Sequence, residues 1–139
     1  QTLVMNCLYC HFSANKSMDA WLPSVSTCIR WHTVVTGSRP AMDGLPARTS
    51  AGITKLTEYW NKKQPIPWVR VHKVPDYVQF PHMRHVNAGV TCQTCHGQVQ
   101  QMTKVYQYAP LNMGWCINCH IGNVNPAWKA RYDCSTCHY

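Results

Sequence analysis

The chain has 139 residues, one small domain by length, and 45% of them are hydrophobic, yet with only two Phe and few unbroken aliphatic runs the peptide alone makes a poor core. Thirteen Lys and Arg against five acids give a formal charge of +8, but the basic residues are scattered (Lys16, Arg30, Arg48, Arg70, Arg84, Lys104, Arg131), which argues against a nucleic-acid surface. No apolar run reaches the roughly 18 residues that would cross a bilayer, and no signal peptide is visible.

Residues 1–36 open with Cys7-Leu8-Tyr9-Cys10-His11, a Cys-x-x-Cys-His pattern. On one helical turn, positions i, i+3 and i+4 share a face, so two thiols can reach the two vinyl groups on a porphyrin edge while the imidazole turns to the iron. The motif is therefore a site for covalent haem c. Residues 12–21 read as a short helix ended by Leu22-Pro23. Cys28-Ile29-Arg30-Trp31-His32 has the first cysteine and the histidine of the motif in place, with Trp31 where the second cysteine belongs. One thioether plus an imidazole still holds a haem; an odd structural cysteine is the alternative.

Residues 37–91 contain no cysteine. A Gly, Pro, Ser and Asp-rich loop covers residues 37–46. Ser50 then caps a predicted helix over residues 51–62, with Ile53, Leu56 and Tyr59 or Trp60 on its apolar face. Gln64-Pro65-Ile66-Pro67 stops it, and residues 68–72 alternate as a strand does. His72, His82 and His85 follow.

Residues 92–139 carry three complete motifs: Cys92, Cys95 and His96; Cys116, Cys119 and His120; Cys134, Cys137 and His138. Between them, Val99, Met102, Val105 and Tyr106 fall at helical spacing within residues 98–108, Ala109-Pro110 turns the chain, and residues 123–126 form a turn. Trp128 and Tyr132 are expected against porphyrin faces or edges.

Zinc is the main rival, since Cys92, Cys95, Cys116 and Cys119 have the spacing of a zinc ribbon. It gives no reason for the histidine after all four complete pairs, which chance would produce about once in 10⁵. Disulfides fare worse, because nine close-spaced thiols cannot all pair and would staple little loop entropy. Five haems are expected, four at complete motifs and one at Cys28/His32, and their propionates would take up the positive charge. They also supply the missing apolar core, so the expected fold is mostly irregular with short helices, wrapped around its haems as one domain with little or no sheet. Five proximal imidazoles leave His72, His82 and His85 as candidate distal ligands, since low-spin electron-transfer haem takes two strong axial ligands. Met113 is the first substitute ligand, with Met5 and Met102 behind it. So many paired thiols point outside the cytoplasm, toward the periplasmic face of a bacterial membrane.

Phe80-x-His82-x-x-His85 ahead of Cys92-x-x-Cys95-His96 resembles the class III multihaem cytochromes c, in which such a pair serves two different haems. The whole chain is similar to the pentahaem cytochrome c subunit of alternative complex III, a bacterial quinol-oxidising membrane complex. That resemblance is carried by Cys7-Leu-Tyr-Cys10-His11 with Ser13-Ala14 and Lys16-Ser17, by Glu58-Tyr59-Trp60-Asn61, by Pro65-Ile66-Pro67-Trp68-Val69 and by Val71-His72-x-x-Pro75. It continues through Thr91-Cys92-Gln-Thr-Cys95-His96-Gly97 and Met113-Gly114-Trp115-Cys116. It implies a non-catalytic subunit that passes electrons from menaquinol toward a periplasmic acceptor. Its implied partners are an iron-sulfur protein, integral membrane subunits and a monohaem cytochrome, with a soluble cytochrome c or copper protein as acceptor. It also implies Cys at position 31, an upstream membrane anchor and a further His-x-x-His pair. Two other readings are a multihaem reductase of a small oxyanion, which needs an open iron position and a proton-delivering pocket, and a free soluble carrier.

Overall fold

The computed structural model describes residues 5–139, and among them it shows short helices joined by turns, with isolated bridges and no strands. Seven α-helices run in order: α1 (Cys7–Cys10), α2 (Val25–His32), α3 (Ala51–Asn61), α4 (His82–Asn87), α5 (Cys92–His96), α6 (Met113–His120) and α7 (Cys134–Cys137), with 3₁₀ turns at Val99–Gln101 and Pro126–Trp128. The chain divides into two units, one made of the chain up to Trp21 with Val69–Tyr139, the other of Leu22–Trp68. The mostly irregular fold expected from the composition is what the structure has.

In the second unit α2 packs on α3. Ser50 Oγ accepts the Ile53 N–H at 3.4 Å at the start of α3, a cap of the kind that contributes about 1 kcal/mol. Ile53, Leu56 and Tyr59 are the half-buried face, while Trp60, at the edge of that stripe, is exposed. Ile29 of α2 is buried. The loop before α3 is pinched by antiparallel bridges Arg39↔Arg48 and Met42↔Leu45, with Gly44 at φ +72° in the tight turn.

In the first unit the segment after α1 does not continue as a helix. Residues 12–19 form turns. Buried Ser13 donates its hydroxyl to the Asp19 carbonyl (3.1 Å) and accepts the Trp21 N–H (2.9 Å), a side-chain knot that competes with the helical ladder. Residues 68–72 form no strand and bend at His72, and the prolines at 65, 67 and 75 interrupt any ladder around them. Helical spacing in residues 98–108 yields only one 3₁₀ turn. Its apolar positions Val99, Val105 and Tyr106 stay exposed, and without a face to bury, a stretch with β-branched Thr103 and Val105 has little to hold a helix.

The buried hydrophobic residues described are Ala14, Ile29 and Ala109, while Phe12, Trp21, Trp68, Tyr77, Tyr106 and Tyr132 are all exposed. The peptide's apolar surface is therefore arranged for something other than itself.

Candidate functional site

Each complete motif is a single helical turn. Asn6 Oδ1 accepts the Leu8 N–H at 2.9 Å to start α1, and the His11 N–H closes on the Cys7 carbonyl at 2.9 Å. Asn112 Oδ1 caps α6 at the Trp115 N–H, 2.9 Å. Asp133 precedes α7 and gathers the Ser135 hydroxyl (2.8 Å), the Thr136 hydroxyl (3.0 Å) and Arg131 Nε (3.0 Å). Those bonds hold its carboxyl down at about 2, the Ser135 bond first. α5 ends at Gly97, whose φ of +69° and ψ of −168° only glycine adopts readily, and a Cβ there would lie 2.8 Å from the Tyr108 ring.

By this means Cys7, Cys10 and His11, Cys92, Cys95 and His96, Cys116, Cys119 and His120, and Cys134, Cys137 and His138 each occupy one turn. Cys28 and His32 sit likewise on α2, in the second unit. All nine cysteines are free thiols, and Cys7 and Cys134 are the exposed ones. Burial, followed by neighbouring thiols, pushes Cys95 up to about 11, and burial raises Cys92, Cys116 and Cys119 as well.

Seven of the histidines lie in the first unit and all eight are half-buried. Five imidazoles are anchored through Nδ1 to a main-chain carbonyl: His11 to Trp21 (3.0 Å), His32 to Val35 (2.8 Å), His82 to Met18 (3.0 Å), His85 to Pro81 (3.0 Å) and His120 to Arg131 (2.6 Å). A carbonyl oxygen only accepts, so Nδ1 carries the hydrogen and the Nε2 lone pair is left for a metal. This is how ligating histidines are ordinarily oriented. No sequence signal could have named these carbonyls, because every residue has one.

Ring contacts pair the candidate distal ligands with proximal ones. His85 and His120 have centroids 6.1 Å apart. Two imidazoles on opposite sides of one iron, each with a bond of about 2 Å, place their centroids roughly 6 Å apart. His72 meets His96 edge to face at 4.2 Å. Its Nε2 is buried with no hydrogen-bond partner, an arrangement that costs about 1–3 kcal/mol unless something binds the atom. His82 is edge-on to Phe80, which stacks at 4.3 Å on His85. His138 lies 5.7 Å from the Tyr77 ring. Burial lowers His72 and His85, the latter against the Pro81 bond. Burial, then like charge from His72, His82 and His11, brings His96 to about 4. Neutral imidazole is the form that binds metal.

Met113, at the start of α6, is 62% exposed and Met5 is exposed, while Met102 is half-buried with its methyl beside Gly97. Two clefts adjoin the motifs. One of about 300 Å³ in the second unit is lined by His32, Thr36, Ser38, Ile53, Thr57 and Glu58. Another of about 510 Å³ in the first unit, just past His96, is lined by Met102, Lys104, Tyr106 and Tyr108, aromatic walls with one cation. Among the described residues no three of His, Cys, Asp and Glu converge on a metal position.

Residues 78–139 match the family of cytochrome c7 and related cytochrome c. This stretch is thus cytochrome c7-like, which implies covalently bound c-type haem and electron transfer through it. Over 155 aligned positions the chain is also 26% identical to the "Menaquinone reductase, multiheme cytochrome c subunit" of Nitratidesulfovibrio vulgaris (strain Hildenborough), across 96% of this chain and 69% of the relative. The residues present fit the group: paired thiols on single turns, Nδ1-anchored imidazoles and an orphaned buried Nε2 on His72.

Proposed function

We propose that the chain is an electron-transfer subunit of a membrane quinone oxidoreductase, passing single electrons through five covalently held haems on the periplasmic face. The observation that carries the reading is the anchoring of five imidazoles through Nδ1 to fixed carbonyls. It leaves Nε2 free, and no catalytic acid, base or nucleophile is needed. When bound, the haem supplies a one-electron ferric/ferrous couple.

The protein's own work is to orient ligands and exclude water. Cys7 and Cys10, Cys92 and Cys95, Cys116 and Cys119, and Cys134 and Cys137 would each hold one group by two thioethers, and Cys28 one by a single thioether. His11, His32, His96, His120 and His138 are the proximal ligands. His72, His85 and His82, the last anchored by Met18, would be the distal ligands, and of the ring contacts only the 6.1 Å between His85 and His120 has the separation that one shared iron requires. Met113, exposed at the start of α6, is a substitute ligand of lower rank. Arg and Lys side chains are available to propionates, since the described residues form one ion pair, Arg131 with Asp133.

The partners proposed are the iron-sulfur, integral membrane and monohaem cytochrome subunits of a complex resembling alternative complex III, with a soluble cytochrome c or copper protein as acceptor. The relative's name favours a second reading in which electrons run the other way, toward menaquinone. The native complex, reduced with a menaquinol analogue under anaerobic conditions, distinguishes them. Rapid bleaching of oxidised haem bands by the quinol, with reoxidation by a soluble cytochrome c, supports quinol oxidation. Haems reduced only by a soluble donor and reoxidised by the quinone support the reverse direction. A preparation that stays in solution without detergent and without larger polypeptides would contradict the complex.

A further inference from the structure

We propose that Ser13, through its buried hydroxyl, is a positioning residue for two imidazoles at once, His11 after α1 and His82 on α4. What those imidazoles are used for rests on the haem reading above; the coupling between them rests on hydrogen bonds alone.

Ser13 is 8% exposed and is the buried polar residue among those described. A serine hydroxyl can donate one hydrogen while accepting another, and here both capacities are spent on one short loop. Oγ donates to the Asp19 carbonyl at 3.1 Å and accepts the Trp21 N–H at 2.9 Å. The Ser13 carbonyl accepts the Lys16 and Ser17 N–H groups at 2.8 and 2.9 Å. Met18 therefore lies between two residues that are each tied to Ser13, and Trp21 is tied to it directly.

The carbonyls of that loop orient the rings. The Trp21 carbonyl accepts the Nδ1 hydrogen of His11 at 3.0 Å. The Met18 carbonyl accepts the main-chain N–H of His82 at 2.9 Å and its Nδ1 hydrogen at 3.0 Å, from 64 residues along the chain. Beside it the Ser17 carbonyl accepts the Met83 N–H at 3.1 Å, and the Asn15 carbonyl accepts Asn87 Nδ2 at 3.2 Å. α4 has no side-chain cap at its start, so the Met18 and Ser17 carbonyls satisfy N–H groups that its first turn leaves open. Holding the Nδ1 hydrogen fixes the ring plane and the direction of the Nε2 lone pair. One hydroxyl thus sets the aim of an imidazole in an attachment motif and of one in the cysteine-free stretch.

Two other imidazoles of the same unit serve as internal references. His85 bonds the Pro81 carbonyl and His120 the Arg131 carbonyl, at 3.0 and 2.6 Å, and neither carbonyl belongs to the loop that Ser13 holds. A serine that only stabilised the fold would loosen all four anchored rings alike. A positioning serine loosens His11 and His82 and spares the other two.

The test is solvent exchange of the imidazole Nδ1 hydrogens, read by NMR on the native, dithionite-reduced protein with isotope-labelled histidine. The His11 and His82 signals are assigned from their neighbours Trp21 and Phe80. In Ser13→Ala, exchange at His11 and His82 is expected to quicken about tenfold, the order of change that a lost hydrogen bond produces, with His85 and His120 unchanged. Ser13→Thr keeps the hydroxyl and is expected to restore slow exchange at both. The parent protein gives the same decision without a substitution. In urea below the unfolding transition, the Trp21 amide and the Nδ1 hydrogens of His11 and His82 are expected to open with one common free energy, separate from that of His120. Unchanged exchange at His11 and His82 in Ser13→Ala, an equal increase at all four rings, or separate opening of His11 and His82 in the parent would overturn the proposal. The haem reading fails by a different sign, a purified chain without a Soret band, and the exchange of the histidine hydrogens still decides the role of Ser13.

Discussion

Replacing His72 by Leu separates ligation from packing more cleanly than any other single change. Nε2 of His72 is buried without a hydrogen-bond partner, and the ring touches His96 at a centroid distance of 4.2 Å. If the residue were only packing, Leu would remove an unsatisfied polar atom and spare about 1–3 kcal/mol, so a leucine variant would be as stable as the parent or more so. If His72 is the sixth ligand of an iron, the variant leaves that iron five-coordinate. With five haems, about one iron in five then changes from low to high spin. The motif cysteines still hold the porphyrin, so total haem per chain is unchanged. The assay is electron paramagnetic resonance of the oxidised holoprotein, together with carbon monoxide binding to the reduced form and a total haem determination. An entirely low-spin spectrum, no carbon monoxide binding and unchanged or raised stability would refute the ligand assignment.

Three other outcomes are expected. In the haem-free chain burial holds His96 at about 4 against an ordinary 6.5, so the unfolded chain takes up that proton first; the stability of the haem-free form should fall as pH drops from 6.5 toward 4 and be flat with respect to this group above 6.5. Urea midpoints across that window check it, and a midpoint that rises on acidification would contradict it. Gly97→Ala should cost about 1–3 kcal/mol by urea unfolding, since its Cβ meets the Tyr108 ring at 2.8 Å, whereas Gly89→Ala, at φ +79° with open space around the Cβ, should cost less; equal costs would show that the Tyr108 contact is not tight. Cys28→Ala should remove one haem from the denatured chain by mass, and Trp31→Cys should keep the haem count while adding a second thioether there; an unchanged mass in Cys28→Ala would make Cys28 a plain structural thiol.

The helix α3 was legible because its signals are local: Ser50 caps it and Ile53, Leu56 and Tyr59 repeat at its period, and they form its half-buried stripe. The motif turns were legible for the same reason. Three stretches were not. Residues 12–21 carry no mark that Ser13 would bond both the Asp19 carbonyl and the Trp21 N–H. Residues 68–72 alternate like a strand but no partner backbone reaches them, and residues 98–108 have a helical period with nothing to bury it against. In the site, residue types were readable but partners were not. His72, His82 and His85 stood out by count, while their pairing depends on α4 lying against the turn after α1, a contact across more than sixty residues. The carbonyls of Trp21, Met18, Pro81 and Arg131, which fix the imidazoles, leave no trace in composition because backbone acceptors are everywhere.

The second unit stands apart in chemistry as well as in sequence. It holds Cys28 and His32 with one thiol fewer than the other motifs, and Trp31 occupies the position where the second thioether would form. A haem held here would have a single thioether, with His32, anchored to the Val35 carbonyl at 2.8 Å, as its ligand and the polar cleft with Thr57 and Glu58 beside it.

The central claim, that paired thiols and following histidines hold iron porphyrins, is tested most directly by the visible spectrum and metal content of the purified native protein, with the mass of the denatured chain. A Soret band, iron at about one per motif, and porphyrin mass that stays with the denatured polypeptide are expected. A colourless protein with stoichiometric zinc and an unmodified chain mass would contradict it.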